Sequence, residues 1–94
     1  INDMSKITSL CLDGMGLNSI SELKQIITLR YLSINSNHIH DLSPLKSCIK
    51  LVELCASDNK LVKVTQVINS LPAVQFLDLS QNDILELPLD KGTG

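Results

Sequence analysis

The sequence predicts an α/β repeat domain, each coil carrying one short strand and one short helical return. Three observations predict it. Four segments starting at residues 7, 29, 51 and 74 obey one spacing of aliphatic residues, with starts 22, 22 and 23 residues apart. Within them, apolar alternation is confined to stretches as short as Leu32 to Ile34, while Ile34 and Ile39 lie five apart, so neither the strand nor the helix period covers a whole segment. Between them, Ser21, Ser43 and Thr65 recur before short apolar stretches of helical spacing.

Taken in order, the segments are "ITSLCLDGMGLNSI", "LRYLSINSNHIHDL", "LVELCASDNKLVKV" and "VQFLDLSQNDILEL". Each fits LxxLxLxxNxLxxL, with Ala56 in place of one Leu and Met15 in place of the first Asn. In the second copy, Leu32 and Ile34 point to one side of a strand and enter the core, because strand side chains alternate. The chain then turns at Asn37, whose amide can serve backbone groups that have no ladder partner. Stacking places Asn37, Asn59 and Asn82 in a row as a structural ladder. Ile39 and Leu42 re-enter the core on the return path. Ser21, Ser43 and Thr65 are expected to cap the helical stretches, with Pro44 at a first helical position where it costs no hydrogen bond. Ser43-Pro44 also fits a proline-directed phosphorylation site, but capping is the favoured reading. Leu23, Leu45, Val67, Ile26 and Cys48 face inward. The extra residue in "TQVINSLPAV" predicts a slightly longer third helical stretch, ended by Pro72.

This pattern resembles the leucine-rich repeat, over about Ile7 to Leu89. The 22-residue period resembles the subclass that includes a phosphatase regulatory subunit, a spliceosomal repeat protein and many ciliary and centrosomal proteins. The resemblance implies a right-handed solenoid with short parallel strands on the concave side and short helical or 3-10 segments on the convex side. Residues 1–94 read as one domain, with repeats at 7–28, 29–50, 51–73 and 74–89. Met15 is read as filling a gap in the first repeat of the array. Leu87-Pro88-Leu89 stops without a polar capping helix, so the chain reads as a piece of a longer one.

Composition narrows the function classes. Apolar residues make up 44% of the chain, enough for a packed core, but aromatics only 2%, so the core is aliphatic. The net charge of −2 argues against a general nucleic-acid or anionic-membrane binder. No apolar run approaches the roughly 18 residues of a membrane span. Three cysteines, an odd number, and the lack of an Asn-x-Ser/Thr sequon lean towards an intracellular setting. The resemblance adds cytoplasmic, ciliary, centrosomal and nuclear contexts.

The resemblance also places the residues between the core positions on the concave surface, where they form columns. One column holds Ser9, Tyr31, Glu53 and Phe76; the next holds Cys11, Ser33, Cys55 and Asp78; the third holds Asp13, Asn35, Ser57 and Ser80. Flanking columns hold Thr8, Arg30, Val52 and Gln75, and Gly14, Ser36, Asp58 and Gln81. Tyr31 and Phe76, the two aromatics of the chain, share a column, and exposed aromatics are common interface anchors. Asp13, Glu53, Asp58 and Asp78 outnumber the single concave base, Arg30. The candidate partner-binding set is therefore Arg30, Tyr31, Ser33, Asn35, Glu53, Phe76 and Asp78. The expected partner is another protein, through a basic or amphipathic segment, with no nucleic acid and no membrane.

Catalysis is not expected. Cys11 and Cys55 lie two strands apart, and His38 and His40 fall beyond the Asn turn, so no thiol has a base beside it. "HIHD" offers two adjacent imidazoles, which alone do not make a metal site. "DGMG" opens no helix with the spacing of a phosphate loop. No cofactor is expected. The expected function is a non-catalytic interaction module that binds on its concave face. The alternative is a scaffold segment that stacks on neighbours through its ends or convex side.

Overall fold

The computed structural model describes residues 6–85. The expected end of the fourth repeat at 86–89 lies outside them. Four three-residue strands, β1 (Ser9–Cys11), β2 (Tyr31–Ser33), β3 (Glu53–Cys55) and β4 (Phe76–Asp78), form one parallel sheet in chain order. Each crossover carries one short helix: a first 3-10 helix (Ser21–Gln25), a second (Ser43–Ser47) and the α-helix α1 (Thr65–Asn69). Strands this short cannot hold a sheet by themselves. Main-chain bonds extend the ladder past the C-terminal ends of the strands, from Leu12 N–H to Ser33 O (2.7 Å), Ile34 to Cys55 (2.7 Å) and Ala56 to Asp78 (2.8 Å), and before their N-terminal ends, from Tyr31 N–H to Thr8 O (2.9 Å).

The core is a stack of aliphatic layers. Leu29, Leu32, Ile34, Ile39, Leu42, Leu45 and Cys48 of the second coil are buried, as are Leu51, Leu54, Ala56, Leu61, Val64, Val67 and Leu71 of the third. In the outer coils, Ile7, Leu10, Leu12, Leu17, Val74, Leu79 and Ile84 are only partly buried, and pack on that core from one side. The inner coils are covered from both sides, which is the nearest-neighbour logic of a solenoid.

The turn after each strand follows one rule. Gly14, Ser36, Asp58 and Gln81, equivalent in the four coils, all have φ between 57° and 63°. That left-handed backbone aims the N–H of Gly14, Ser36 and Asp58 at the carbonyl of Asn35, Ser57 and Ser80, 2.9 to 3.0 Å away in the next coil. Only one of the four is glycine, so three side chains tolerate a strained φ. Ser36→Gly is therefore expected to raise stability by about 0.5–1 kcal/mol. At Gly14 a Cβ would meet nothing within 4 Å, so Gly14→Ala tests the backbone term alone and is expected to cost about 1 kcal/mol. Urea unfolding of both variants measures this, and equal stability of both with the parent would exclude a left-handed requirement here.

The asparagines hold the inside of the same turns. Asn37 is 4% exposed and Asn59 5%. The Asn37 amide donates to the carbonyls of Leu12 (2.9 Å), Ile34 (3.1 Å) and Asn35 (3.2 Å), and its Oδ1 accepts from the N–H of Met15 (3.0 Å) and Leu17 (2.9 Å). Asn59 repeats the pattern with Ile34, Ala56 and Ser57 as acceptors and Ile39 N–H as donor. Asn82 does so with Ala56, Leu79, Ser80 and Leu61 N–H. Each asparagine thus ties its own turn to the preceding coil.

Three details differ from the sequence expectations. Ser21, Ser43 and Thr65 are the first residues of their helices, and Ile20, Leu42 and Val64 stand at the cap positions with no side-chain cap bond. In the first two coils the free amide is served from two residues upstream: Ser19 Oγ accepts from Ser21 N–H (3.2 Å), and Asp41 Oδ1 from Ser43 N–H (2.9 Å). The Ser43 hydroxyl donates to Asp41 Oδ2 (2.9 Å). Side-chain turns of this type satisfy the N–H of the first helical residue without any side chain at the cap position. Met15 fills no gap; it is 61% exposed. The extra residue of the third coil changes helix type rather than length. Ile68 N–H reaches back four residues to Val64 O, whereas Leu23 and Leu45 reach back three, to Ile20 and Leu42.

Candidate functional site: the concave strand face

The parallel register sets the surface. Ser9, Tyr31, Glu53 and Phe76 are paired across the four strands, and Cys11, Ser33, Cys55 and Asp78 two residues further along. Odd and even strand positions point to opposite faces, so with Leu32 and Leu54 buried these two rows face outward. Tyr31 is 44% and Phe76 51% exposed, with Glu53 exposed between them. The rings stand two strands apart, roughly 10 Å at about 4.8 Å per strand. A shallow depression of about 110 Å³ lies beside Tyr31, floored by Leu10 and Leu32 and walled by Ser9, Cys11, Ser33, Glu53 and Cys55.

The sequence-predicted polar residues divide into two groups. Arg30, Tyr31, Glu53 and Phe76 are exposed. Ser33, Asn35 and Asp78 are half-buried, and all three are engaged. Asp13 Oδ1 accepts from the Ser33 hydroxyl (2.6 Å) and from Asn35 N–H (2.8 Å). Asn35 Nδ2 donates to Ser33 Oγ (3.3 Å), and Asn35 Oδ1 accepts from the Ser57 N–H (2.8 Å) and hydroxyl (3.0 Å). Asp78 Oδ1 accepts from the Ser80 hydroxyl (2.7 Å) and N–H (3.1 Å). These bonds run across coils from Asp13 to Ser57 and fix the edge of the face.

The same bonds set the charges. The Ser33 hydroxyl, with Asn35 N–H, holds the Asp13 carboxyl below its usual value, and the Ser80 hydroxyl does so for Asp78. Hydrogen bonds to the ionised form favour it, so both stay negative at neutral pH. Cys55 moves the other way: burial pushes its thiol up, and Asp78, Glu53 and Asp13 push it further. A thiol kept protonated is a poor nucleophile. Cys48 is fully buried, with Sγ 3.6 Å from the carbonyls of Leu23 and Ile26, and burial raises its pKa as well. His38 and His40 flank buried Ile39 on exposed positions. Among the described residues, no three His, Cys, Asp or Glu side chains gather where a metal ion could sit. Among them also, no helix is long and apolar enough to cross a membrane.

Comparison with known proteins agrees with this architecture. Residues 27–69 match the family model for leucine-rich repeats in two copies. The human leucine-rich repeat and IQ domain-containing protein 3 is 34% identical over 77 residues, which is 80% of this chain and 12% of that protein. Leucine-rich repeat-containing protein 23 of Bos taurus is 36% identical over 70 residues, 74% of this chain and 20% of its own length. The chain therefore spans a fifth or less of these curated relatives. Among solved structures, internalin C2 of Listeria monocytogenes superposes with a TM-score of 0.85 at 36% identity, covering 89% of this chain and 37% of the internalin. Such repeats generally serve as protein-interaction modules. The repeated pattern, the parallel coil-by-coil sheet and these matches identify the chain as a leucine-rich-repeat protein.

Proposed function

We propose that the concave strand face binds a partner protein, without catalysis, through a segment that is basic and apolar along one ridge. The observation that carries this reading is the shared column of Tyr31 and Phe76, both about half-exposed on either side of Glu53. Two rings held two strands apart on one sheet are pre-positioned, so little side-chain freedom is lost when they are covered. The charge around them supports a basic partner: Glu53, Asp13, Asp58 and Asp78 face it against Arg30 alone. Phosphate backbones and anionic lipid surfaces are disfavoured for the same reason. Ser33, Asn35 and Asp78 serve this face mainly by holding its edge, while Arg30, Tyr31, Glu53 and Phe76 make the contacts. An intracellular setting goes with this role, supported by three cysteines that all stand as free thiols.

Affinity capture from cell extract tests it, with the parent chain against the double variant Tyr31→Ala, Phe76→Ala. Both side chains are exposed, so the variant is expected to unfold like the parent. The expected result is a protein retained by the parent and held about tenfold or more weakly by the variant, as for loss of a central aromatic anchor. Equal capture by both would remove the concave column from the binding site.

A further inference from the structure

A second exposed apolar feature lies off the strand face, where each helical return turns back into its strand. In three coils the turn is closed by the same main-chain bond: Leu29 N–H to Ile26 O (3.2 Å), Leu51 N–H to Cys48 O (3.1 Å) and Val74 N–H to Leu71 O (3.4 Å). The next residue after each acceptor is Ile27, Ile49 and Pro72. Proline is what the geometry of such a turn favours at that position. Isoleucine is not demanded by it, and a polar residue would serve as well. Yet Ile27 and Ile49 are each 55% exposed, while their neighbours Ile26 and Leu29, and Cys48 and Leu51, are buried. The backbone is clamped and the side chains are turned out. A single exposed isoleucine is ordinary. Two at equivalent positions of adjacent coils form a ridge, at about the 4.8 Å spacing of paired strands.

The charge around the ridge has the opposite sign to that of the concave face. Lys24 and Lys46 lie in the last turns of the first and second 3-10 helices, and Lys50 follows Ile49. The helices that carry them are joined by the Ser47 hydroxyl, which donates to Lys24 O (2.9 Å). Glu22, in the first turn of the first helix, is the acid of these two helices. Three lysines fall short of the clusters of about four to eight that mark anionic-lipid binding, and two side chains are a small apolar area for a membrane surface.

We propose that the Ile27–Ile49 ridge, with Lys24, Lys46 and Lys50, is a second docking surface, for an acidic amphipathic segment of a partner protein. Its apolar side chains cover the two isoleucines while its carboxylates meet the lysines. This surface is independent of the concave column, so the chain can hold two partners of opposite charge at once.

The test is an NMR titration of the 15N-labelled chain with a synthetic helical peptide of about 15 residues, leucines on one face and glutamates on the other. A peptide with lysines in place of the glutamates is the control. Saturable shifts are expected at the amides of Lys24, Ile27, Lys46, Ile49 and Lys50, and not at Tyr31, Glu53 or Phe76. Ile27→Ser, Ile49→Ser is expected to bind about tenfold more weakly with an otherwise unchanged spectrum. Lys46→Glu, Lys50→Glu, which leaves both isoleucines in place, is expected to weaken binding as well. Shifts centred on the strand face, no saturation, or equal binding of the lysine peptide at the ridge would each overturn the proposal. So would engagement of the ridge by phosphatidylserine vesicles with the glutamate peptide inert.

Discussion

Leu54→Ala is expected to destabilise the fold by about 2–5 kcal/mol, the range for removing a large aliphatic side chain from a closed core. Leu54 is fully buried at the centre of β3, with Leu32 beside it in β2 and Leu77 in β4. It belongs to a coil covered on both sides, so neither neighbour can relax far into the space. The truncation therefore weakens two coil–coil interfaces together, and in a solenoid those interfaces carry the stability of every coil. Equilibrium urea unfolding should show a lower midpoint, with a drop in Tm of about 10 °C or more. Leu77→Ala makes the contrast. Leu77 holds the same strand position but is 37% exposed, so its truncation should cost clearly less. Equal losses at both positions would show that burial between coils is not what sets the cost.

Asn37→Ala is expected to cost about 1–3 kcal/mol, from backbone groups left without partners. The count of orphans matters more than the count of bonds. Ile34 O keeps a donor in Asn59 Nδ2, and Asn35 O keeps one in Gly14 N–H. Leu12 O and the N–H groups of Met15 and Leu17 are the ones stranded. Met15 is exposed and Leu17 half-buried, so water can reach part of the turn, which limits the cost. Asn37→Asp separates the two halves of the amide. The aspartate keeps an acceptor for Met15 and Leu17 but points a charged oxygen at three carbonyls where the amide had donated. It should be at least as unstable as Asn37→Ala at neutral pH, and should recover as pH falls and the carboxyl gains a proton to donate. An unchanged melting curve for Asn37→Ala would mean that the turn does not depend on this side chain.

Much of this architecture is legible in the chain because sequence alignment and spatial register are the same thing in a solenoid. Each strand pairs with the next copy of itself, so aligning the copies at 22, 22 and 23 residues already writes the pairs Ser9 with Tyr31, Tyr31 with Glu53 and Glu53 with Phe76. The aliphatic spacing likewise names Leu32, Ile34, Ile39, Leu42 and Leu45 as buried, since all five enter the same narrow space between strand and return. The candidate surface was legible to the same extent, as rows of outward residues with a charge bias.

Other features depend on contacts that no local pattern encodes. "QIIT" and "SCIK" each present two adjacent apolar residues, and only the closed turn decides that Ile26 and Cys48 go in while Ile27 and Ile49 stay out. The repetition of Ile27 at Ile49 was the available signal, but an apolar residue beside a core position reads as core. Helix type was decided by fitting one extra residue between two fixed strands, which lets Ile68 reach Val64 where shorter returns close three residues back. The serines at the helix starts lie one residue past the cap position, so they cap nothing, and their own N–H groups are served by Ser19 and Asp41. Asp13, one concave acid among four in the sequence, became one end of the Ser33–Asn35–Ser57 network because stacking brings the next coil's hydroxyl and amide to its carboxylate. The sequence by itself determined the period, the core and the register, since these follow from which residues must leave water. Tertiary structure decided which exposed and half-buried groups meet across coils, because those distances exist only after the coils are stacked.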